Sequence, residues 1–385
     1  MPAVRRQPVV IVRGKGTRVW DQDGKEYLDF TAGWAVNNAG HANPVIADAI
    51  AEQARTLLQT SNQFYTVPQL QLAEILVENS CLDKVFICNS GAEANEGAVK
   101  LARKYGKMHL NGAYEVITAF NSFHGRTLAM TAATGQPHYQ EPYQPIPIGF
   151  KHVDFNDVEA LKAATTDRTA AVMLEPVQGE GGVNLPEPGY LEGVREWCDE
   201  KGMLLIFDEV QTGLGRLGTL FGYESFGVEP DVMTLAKGLG GGVPIGAFLA
   251  KEHASVFEPK GEHGSTFGGN ALTCAAAFAS TKYIIDNDLP GKALQMGEYL
   301  RNALEGIKER NDSVNDVRGM GLLLAVEFES EMAAGIYPAC IDEGLLLGLL
   351  GPSAIRLMPP LTVDKAEIDL AVARLETGIK KAASS

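Results

Sequence analysis

A lysine stands where an apolar run gives way to a glycine-rich turn. The run Val232–Ala236 is followed by Lys237 and then by Gly238-Leu239-Gly240-Gly241-Gly242. A lysine at such a place could lay its stem along apolar surface and keep its charge in water. It could instead be held against a ligand by a closely approaching backbone, with its amine made nucleophilic by desolvation. The second interpretation predicts a lysine that forms a Schiff base with a carbonyl compound.

A carboxylate stands at the end of another apolar run. Asp208 directly follows Met203–Phe207, and 237 − 208 = 29 residues separate it from Lys237, which fits neighbouring strands of one sheet. A strand that ends in Asp208-Glu209 also resembles a Walker B motif, but the chain contains no G-K-[ST] and so has no Walker A loop. An aspartate near a Schiff-base lysine is the partner that keeps a pyridine nitrogen protonated, so that the ring can act as an electron sink.

A small-residue turn opens a helical pattern elsewhere in the chain. Ser90-Gly91-Ala92 follows the run Val85–Asn89. Glycine lets a backbone approach a ligand closely, and the free amides of a helix N-terminus favour a phosphate group. Alone, the segment is equally consistent with a plain strand-to-helix turn. Together with Lys237 and Asp208, it predicts pyridoxal 5'-phosphate as the cofactor.

One motif points to a different cofactor. Gly213-Leu214-Gly215-Arg216-Leu217-Gly218 matches the dinucleotide fingerprint G-x-G-x-x-G. That fingerprint should open a helix, whereas Thr219–Tyr223 is aromatic, interrupted by glycine and typical of a loop. A dinucleotide-binding oxidoreductase is therefore disfavoured.

The runs before these residues belong to a set of short, almost continuously apolar segments. Segments of this kind are typical of strands that are buried on both faces. The set comprises Val85–Asn89, Tyr114–Phe120, Ala170–Leu174, Met203–Phe207, Val232–Ala236 and Ile245–Ala250. Helical patterns such as Ala92–Lys107 and Tyr190–Lys201 lie between several of them. The alternation predicts an α/β fold with a mostly parallel sheet covered by helices, and ligands at the carboxyl ends of its strands.

The pattern is different near both ends of the chain. The first 40 or so residues indicate short strands with a hairpin turn at Asp23-Gly24, and a calcium loop is a poor alternative there. After about residue 280 we expect a helix over Leu294–Arg310, a strand over Leu322–Phe328 and a final helix from Lys365 to about Lys381. We predict a large cofactor-binding domain over residues 46–280. Residues 1–45 and 281–385 are expected to form a smaller α/β domain.

Composition excludes several classes of protein. The chain has 385 residues, 45% of them hydrophobic, and a net charge of −15, which argues against binding a polyanion such as nucleic acid. Five cysteines without a C-x-x-C argue against a disulfide framework or a zinc site and favour a reducing compartment. No apolar run approaches the ~18 residues that a membrane span needs. We therefore expect a cytoplasmic protein without a metal site.

Six long segments of the sequence resemble the class III (ornithine/acetylornithine) aminotransferases, which are pyridoxal-phosphate enzymes of fold type I. The resemblance covers essentially the whole chain. Its carriers are N-S-G-A-E-A-N-E (89–96), F-H-G-R-T (123–127), E-P-V-Q-G-E-G-G (175–182), L-I-F-D-E-V-Q-T-G-L-G-R (205–216), L-A-K-G-L-G-G-G-V-P-I-G (235–246) and H-G-S-T-F-G-G-N (263–270).

The resemblance implies a cofactor site. In it, Lys237 bonds to the cofactor aldehyde and later moves a proton, and Asp208 pairs with the pyridine nitrogen. The other residues that the resemblance places against the cofactor are Ser90, Gly91 and Ala92 at the phosphate, Phe123 and Val210 on the two ring faces, Gln211 at the phenolic oxygen, Glu209, and Thr266.

The resemblance also implies how substrates are recognised. Arg126 is similar to the family's clamp for the α-carboxylate of an acylated diamino acid, and Arg356 to the arginine that takes the α-carboxylate of glutamate or 2-oxoglutarate. Glu180 is similar to the carboxylate that neutralises Arg356 when no acid should bind there. Taken alone, each arginine would more simply be a surface ion pair.

The implied assembly is a homodimer with shared active sites, in which Thr266 and Ser265 reach the partner's cofactor and substrate. The implied reaction moves an ω-amine from an acylated diamino acid to 2-oxoglutarate. Ornithine or 4-aminobutyrate remains the alternative amine donor, although S-N-Q-F-Y (61–65) weighs against both. Trp34 and Asn38 depart from the family's usual residues near the substrate entrance.

Overall fold

A computed structural model describes residues 6–383 of the chain. Its strands and helices are numbered separately in chain order. The strands are β1 (Ile11–Lys15), β2 (Arg18–Asp21), β3 (Glu26–Asp29), β4 (Lys84–Cys88), β5 (Glu115–Ala119), β6 (Phe150–Val153), β7 (Thr169–Leu174), β8 (Leu204–Asp208), β9 (Val232–Leu235), β10 (Gly246–Ala250), β11 (Val314–Met320), β12 (Leu323–Phe328), β13 (Leu345–Leu346), β14 (Gly348–Leu350) and β15 (Ala354–Leu357).

Helices pack around the sheets. They are α1 (Ala32–Ala35), α2 (Pro44–Thr56), α3 (Val67–Glu78), α4 (Gly91–His109), α5 (Leu128–Ala133), α6 (Pro137–Gln140), α7 (Val158–Ala164), α8 (Tyr190–Lys201), α9 (Ala271–Asp286), α10 (Leu289–Arg310), α11 (Ala333–Asp342) and α12 (Lys365–Ala383). Short 3₁₀ turns occur at Glu141–Tyr143, Gly222–Ser225, Lys237–Gly240 and Glu252–Ala254. Within residues 6–383, no helix has the length and apolar character needed to cross a membrane.

The central sheet has seven strands in the order β4-β10-β9-β8-β7-β5-β6. Strand β10 is antiparallel to both of its neighbours, and the other pairs are parallel. Every residue of β7 and β8 is buried, which is why these strands have continuous apolar sequences. The mostly parallel sheet covered by helices that the sequence predicts is confirmed. Because β4, β8 and β9 run in the same direction, the residues that follow them meet at one edge of the sheet.

Two smaller sheets lie outside the central one. The first has the order β1-β2-β3-β13, and its Leu28 pairs with Leu345 in a parallel register, so segments far apart in sequence share one sheet. The second has the order β11-β12-β15-β14. The hairpin turn at Asp23-Gly24 is confirmed, since it joins antiparallel β2 and β3 with Gly24 at φ +84°. The division of the chain at residues 45 and 280 stays a prediction.

Helix α10 begins five residues earlier than the sequence pattern indicates. Asp288 caps it, with its carboxylate accepting a hydrogen bond of 3.1 Å from the amide of Gly291, and Pro290 lies in the first turn. Proline without an amide hydrogen is tolerated at that position, so the helix starts before its apolar stripe becomes visible in the sequence.

The glycine-rich segment over residues 213–218 forms a turn and does not open a helix. Its Arg216 is fully buried and donates to the carbonyls of Leu322 (2.9 Å) and Pro359 (2.6 Å) and to the side chain of Asn38 (2.7 Å). Burial, with a smaller contribution from the charge of Arg356, lowers the pKa of Arg216 to about 9. This arginine thus joins the central domain region to segments near both ends of the chain.

Replacing Arg216 is expected to destabilise the fold strongly. Arg216→Ala leaves three buried acceptors without a donor, and hydrogen bonds from a charged group contribute about 1.5–3 kcal/mol each. We expect a loss of at least about 3 kcal/mol, measured as a fall of about 5 °C or more in Tm. The Tm of Arg216→Lys should lie between those of Arg216→Ala and the unsubstituted protein, because lysine keeps the positive charge but has no planar guanidinium to reach all three acceptors.

The matched control is Arg301→Ala in α10, where the side chain is exposed and the change should stay within about 0.5 kcal/mol. Equal Tm values for the alanine variants at positions 216 and 301 would contradict the role of Arg216 as a buried link.

Candidate active site

A cavity of about 440 Å³ opens at the edge of the central sheet where β4, β8 and β9 end. It brings together ten residues predicted from the sequence. These are Ser90, Gly91, Ala92, Phe123, Arg126, Glu180, Asp208, Val210, Gln211 and Lys237. Within residues 6–383, no group of three or more histidine, cysteine, aspartate or glutamate side chains is arranged to hold a metal ion.

Asp208 is a buried carboxylate whose oxygens are held by side chains from different segments. Its Oδ2 accepts from Asn95 Nδ2 at 2.7 Å and lies 2.8 Å from His124 Nδ1. Its Oδ1 accepts from the amide of Val210 at 3.0 Å and lies 3.4 Å from the hydroxyl of Thr234, which donates to Asn95 Oδ1 at 2.6 Å. A buried carboxylate with this many partners is stable in one orientation and presents a fixed negative charge to the cavity.

Lys237 begins the 3₁₀ turn after β9 and has a φ of +41°, in the left-handed region. A non-glycine residue is strained there by about 1–2 kcal/mol, and such strain is concentrated at functional sites. Burial lowers the pKa of the Lys237 amine, and the charge of Arg356 acts in the same direction, against Glu180, Asp208 and Glu175. The amine is therefore easier to deprotonate than that of an exposed lysine.

The N-terminus of α4 supplies unused amides to the same cavity. Ser90 caps the helix by accepting from the amide of Glu93 at 3.2 Å. Among the described residues, none accepts a hydrogen bond from the amides of Gly91 and Ala92. A Cβ on Gly91 would lie 2.9 Å from Val210 Cγ1, so only glycine lets the helix start this close to the cavity wall. The turn has the free donors and positive helix end that an anion needs.

Arg356, on β15, is fully buried and paired. Its Nη2 donates to Glu180 Oε1 at 2.8 Å and its Nη1 donates to Gln211 Oε1 at 3.0 Å, while Gln211 Nε2 donates to Glu180 at 3.2 Å. The Trp34 ring lies over the guanidinium, 5.4 Å from Cζ to the ring centroid. Although burial raises the pKa of Glu180, the charges of Arg356 and Lys237 lower it overall. Glu180 therefore stays ionised and masks Arg356.

Arg126 has the opposite environment. Its side chain is exposed, and no carboxylate of the described residues pairs with it. Its guanidinium lies over the ring of Tyr139, 3.9 Å from the centroid, and 5.0 Å from that of Phe123. One open arginine therefore lines the cavity, and one masked arginine lies behind the lining residues Glu180 and Gln211.

Four residues predicted from the sequence do not line this cavity. They are Arg356, which contacts the lining residues Glu180 and Gln211, and Glu209, Ser265 and Thr266. The Glu209 carboxylate is buried on another side, where it accepts from the amides of Gly222 and Tyr223, and burial raises its pKa to about 7. This carboxylate is therefore already hydrogen-bonded away from the cavity, and its assignment to a cofactor stays a prediction. Ser265 accepts from Asn89 at 2.9 Å at the rim, whereas Thr266 is exposed.

The structure adds three residues that sequence reasoning did not single out. Asn95 and His124 hold Asp208, and Glu175 lies beneath the cavity, where it accepts from the amides of Phe123 and Gly179, both at 3.1 Å. Burial raises the pKa of Glu175 to about 7. All three residues lie inside the sequence segments 89–96, 123–127 and 175–182 that carry the family resemblance. Membership of these segments was the one signal that could have identified them from the sequence.

Comparisons with known proteins agree with this geometry. Residues 1–379 match the family model described as aminotransferase class-III. The chain is 50% identical over 380 residues to acetylornithine aminotransferase of Methanocaldococcus jannaschii, covering 98% of this chain and 95% of that protein. It is 51% identical over 373 residues to acetylornithine aminotransferase of Methanothermobacter thermautotrophicus, covering 97% of this chain and 94% of that protein.

Solved structures of similar proteins share the fold. Ornithine aminotransferase from Toxoplasma gondii ME49 is 35% identical with a TM-score of 0.95, covering 99% of this chain and 93% of that one. Acetylornithine aminotransferase from Elizabethkingia anophelis is 35% identical with a TM-score of 0.88, covering 99% and 96%. The chain belongs to the class-III aminotransferases.

The Glu180–Arg356 pair generates a pH-dependent contribution to stability. A carboxylate whose pKa is lowered in the folded state stabilises it above the unfolded-state pKa, and the contribution is lost as the pH falls through the folded-state pKa. Glu180→Gln should lower stability by about 1–3 kcal/mol at neutral pH, because it leaves Arg356 buried without a counter-charge. The difference in Tm from the unsubstituted protein should be constant at neutral pH and shrink below pH 4.5, the ordinary pKa of a glutamate.

Glu298→Gln in α10 is the control, since that side chain is exposed and should give no difference at any pH. A Tm difference for the position-180 variant that did not change between pH 7 and acid conditions would show that the charge of Glu180 is not what stabilises the pair.

Proposed function

We propose that this class-III aminotransferase transfers the ω-amine of N2-acetyl-L-ornithine to 2-oxoglutarate. The products are N-acetyl-L-glutamate 5-semialdehyde and L-glutamate, so the amino group and the carbonyl oxygen exchange places between the two substrates. The proposed cofactor is pyridoxal 5'-phosphate. This reaction belongs to the synthesis of arginine, and succinyl-diaminopimelate, from lysine synthesis, is a further candidate donor.

The contrast between the two arginines carries the proposal. The open guanidinium of Arg126 can donate hydrogen bonds to a carboxylate in the first half of the reaction, when the acylated donor binds. Arg356 is masked by Glu180, so an α-carboxylate reaches it only when that pair opens. An enzyme that binds two different acids in turn in one cavity needs such an arrangement, because each acid must place a different carbon at the reacting centre.

The residues of the cavity fit the proposed cofactor at three independent points. The free amides of Gly91 and Ala92, beside Ser90, would hold its phosphate, and the buried carboxylate of Asp208 would hold its pyridine nitrogen. Lys237, with its lowered pKa, would hold its aldehyde covalently. When bound, pyridoxal phosphate supplies an aldehyde for the substrate amine and an electron sink for the charge left when a carbon loses its proton.

Other residues shape the space around these points. Val210 and Phe123 line the cavity as apolar walls, and we assign them to the two faces of the cofactor ring. Gln211, which already bonds Glu180 and Arg356, is assigned to the phenolic oxygen. With substrate bound, the Nζ of Lys237 would accept and return the proton that transamination moves, and the lowered pKa of this amine suits a proton acceptor.

We also propose that two copies of the chain share their active sites. Large apolar side chains are exposed beside the Ser265-Thr266 segment, with Phe64 at 66%, Tyr65 at 85% and Phe267 at 65%. Asn62, from the same surface, donates to the carbonyl of Ser265 at 3.2 Å. Apolar patches of this kind are typical of protein interfaces, and a second copy would bring Thr266 to its partner's cavity. A cytoplasmic location is part of the proposal.

Ornithine is the second candidate donor, favoured by the fold likeness to ornithine aminotransferase from Toxoplasma gondii. 4-Aminobutyrate is a third, and it has no α-amino group to be acylated. The higher identity to acetylornithine aminotransferases places both behind acetylornithine.

The activity is tested by incubating the purified protein, supplied with pyridoxal phosphate, with 2-oxoglutarate and one donor at a time. The donors are acetylornithine, succinyl-diaminopimelate, ornithine and 4-aminobutyrate, and the measurement is glutamate formed. We expect the highest kcat/KM with acetylornithine. Lys237→Ala should reduce kcat by about 10²-fold or more, because the acid–base group is lost. Lys292→Ala on the exposed face of α10 is the control. A higher kcat/KM with ornithine would overturn the proposed substrate.

The shared site is tested by mixing inactive chains. Lys237→Ala and Thr266→Ala chains, unfolded and refolded together, should recover about a quarter of the unsubstituted activity, because half of randomly assembled dimers are mixed and each has one intact site. Each variant alone should be far less active. Full activity of the Thr266→Ala chain alone, or a monomer by light scattering, would contradict sharing.

A further inference from the structure

We infer that Tyr139 is a positioning residue for Arg126, and that it thereby sets the affinity for the carboxylate of the acylated donor. The inference rests on the proposed function, because that function assigns the donor carboxylate to Arg126. Neither Tyr139 nor its helix belongs to the motifs that indicate the family.

The first observation is the stacking itself. The Arg126 guanidinium lies 3.9 Å from the centre of the Tyr139 ring, which is within the range of a strong cation–π contact. No carboxylate or carbonyl of the described residues takes a hydrogen bond from Arg126, so this contact and the longer one to Phe123 are what fix its plane. Stacking uses the face of the guanidinium and leaves its N–H edge free for a bidentate carboxylate.

The second observation is that Tyr139 is itself held in place. It lies on α6, where its amide donates to the carbonyl of Gln136 at 3.0 Å. Its neighbour Gln140 donates to the carbonyl of Thr134 at 2.8 Å and lies 3.2 Å from His152 Nε2. Its ring also meets that of Phe123 edge to face, at 6.1 Å and 78°. A ring that stands on an anchored helix and packs against Phe123 can orient a flexible arginine.

The physical consequence is a lower entropic cost of binding. A free arginine loses up to about 2 kcal/mol of rotamer entropy when it is fixed on a ligand. An arginine already stacked on an aromatic face has lost part of that freedom before the substrate arrives, so the donor carboxylate binds more tightly. Arg356 is fixed by Glu180 and Gln211 instead, so Tyr139 should not affect the carboxylate of 2-oxoglutarate.

The experiment separates the two substrates in steady-state kinetics. Tyr139→Leu should raise KM for acetylornithine about five- to tenfold, with kcat and KM for 2-oxoglutarate within about twofold. Tyr139→Phe should behave like the unsubstituted enzyme, because it keeps the aromatic face on which the Arg126 guanidinium lies. Tyr143→Leu is the matched control, since Tyr143 is an exposed tyrosine four residues along.

A donor without a carboxylate gives a readout that a merely structural role would not produce. Butylamine cannot engage Arg126, so its kcat/KM should be the same in the Tyr139→Leu and unsubstituted enzymes. Equal losses for both substrates and for butylamine, or an unchanged KM for acetylornithine, would overturn the inference. If the unsubstituted enzyme prefers another donor with an α-carboxylate, the proposed substrate is wrong but the role of Tyr139 is still tested. The same comparison of the Tyr139→Leu and unsubstituted enzymes is then made with that donor.

Discussion

The buried carboxylate of Asp208 is the group on which the rest of the site depends. Removing a carboxylate from water costs several kcal/mol unless its oxygens are fully hydrogen-bonded. Its partners Asn95, His124 and Thr234 lie on three separate segments. Asn95 is in the first turns of the helix that presents the free amides, His124 follows Phe123, and Thr234 lies three residues before Lys237. Satisfying one charge therefore fixes the phosphate cradle, an apolar wall and the lysine relative to each other.

Left-handed backbone occurs both at the lysine and in a neighbouring segment. Lys237 has a left-handed φ of +41°, and the glycines Gly241 and Gly242 that end its turn have φ values of +57° and +115°. A neighbouring turn, α1, is left-handed throughout and is held by Asp29, which accepts from the amide of Thr31 at 2.9 Å and that of Ala32 at 3.0 Å. The buried carboxylate of Asp29 thus stabilises the strained backbone of α1.

The sequence predicted the parts of the site that depend on local pattern. Buried parallel strands have a visible apolar signature, so the residues after them could be located before any contact was known. The direction of each side chain was harder to predict from the sequence. Glu209 directly follows Asp208, but consecutive residues of a strand point to opposite sides, and the Glu209 carboxylate accepts from the amide of Gly222. The partners Asn95, His124 and Glu175 depend on packing between distant segments, which no periodicity encodes. The start of α10 was missed because Asp288 and Pro290 precede its apolar stripe.

Different parts of the chain contribute to the cavity and to the masked arginine behind it. The segments after β4, β8 and β9 of the central sheet surround Asp208 and Lys237 with buried, hydrogen-bonded groups. Arg356 comes instead from β15 in the C-terminal sheet, and Trp34, from the N-terminal region, lies over it. Arg216 joins these three regions through its bonds to Asn38, Leu322 and Pro359. Substrate preference can therefore change through residues near the chain ends while the central sheet, and the chemistry it positions, stays the same.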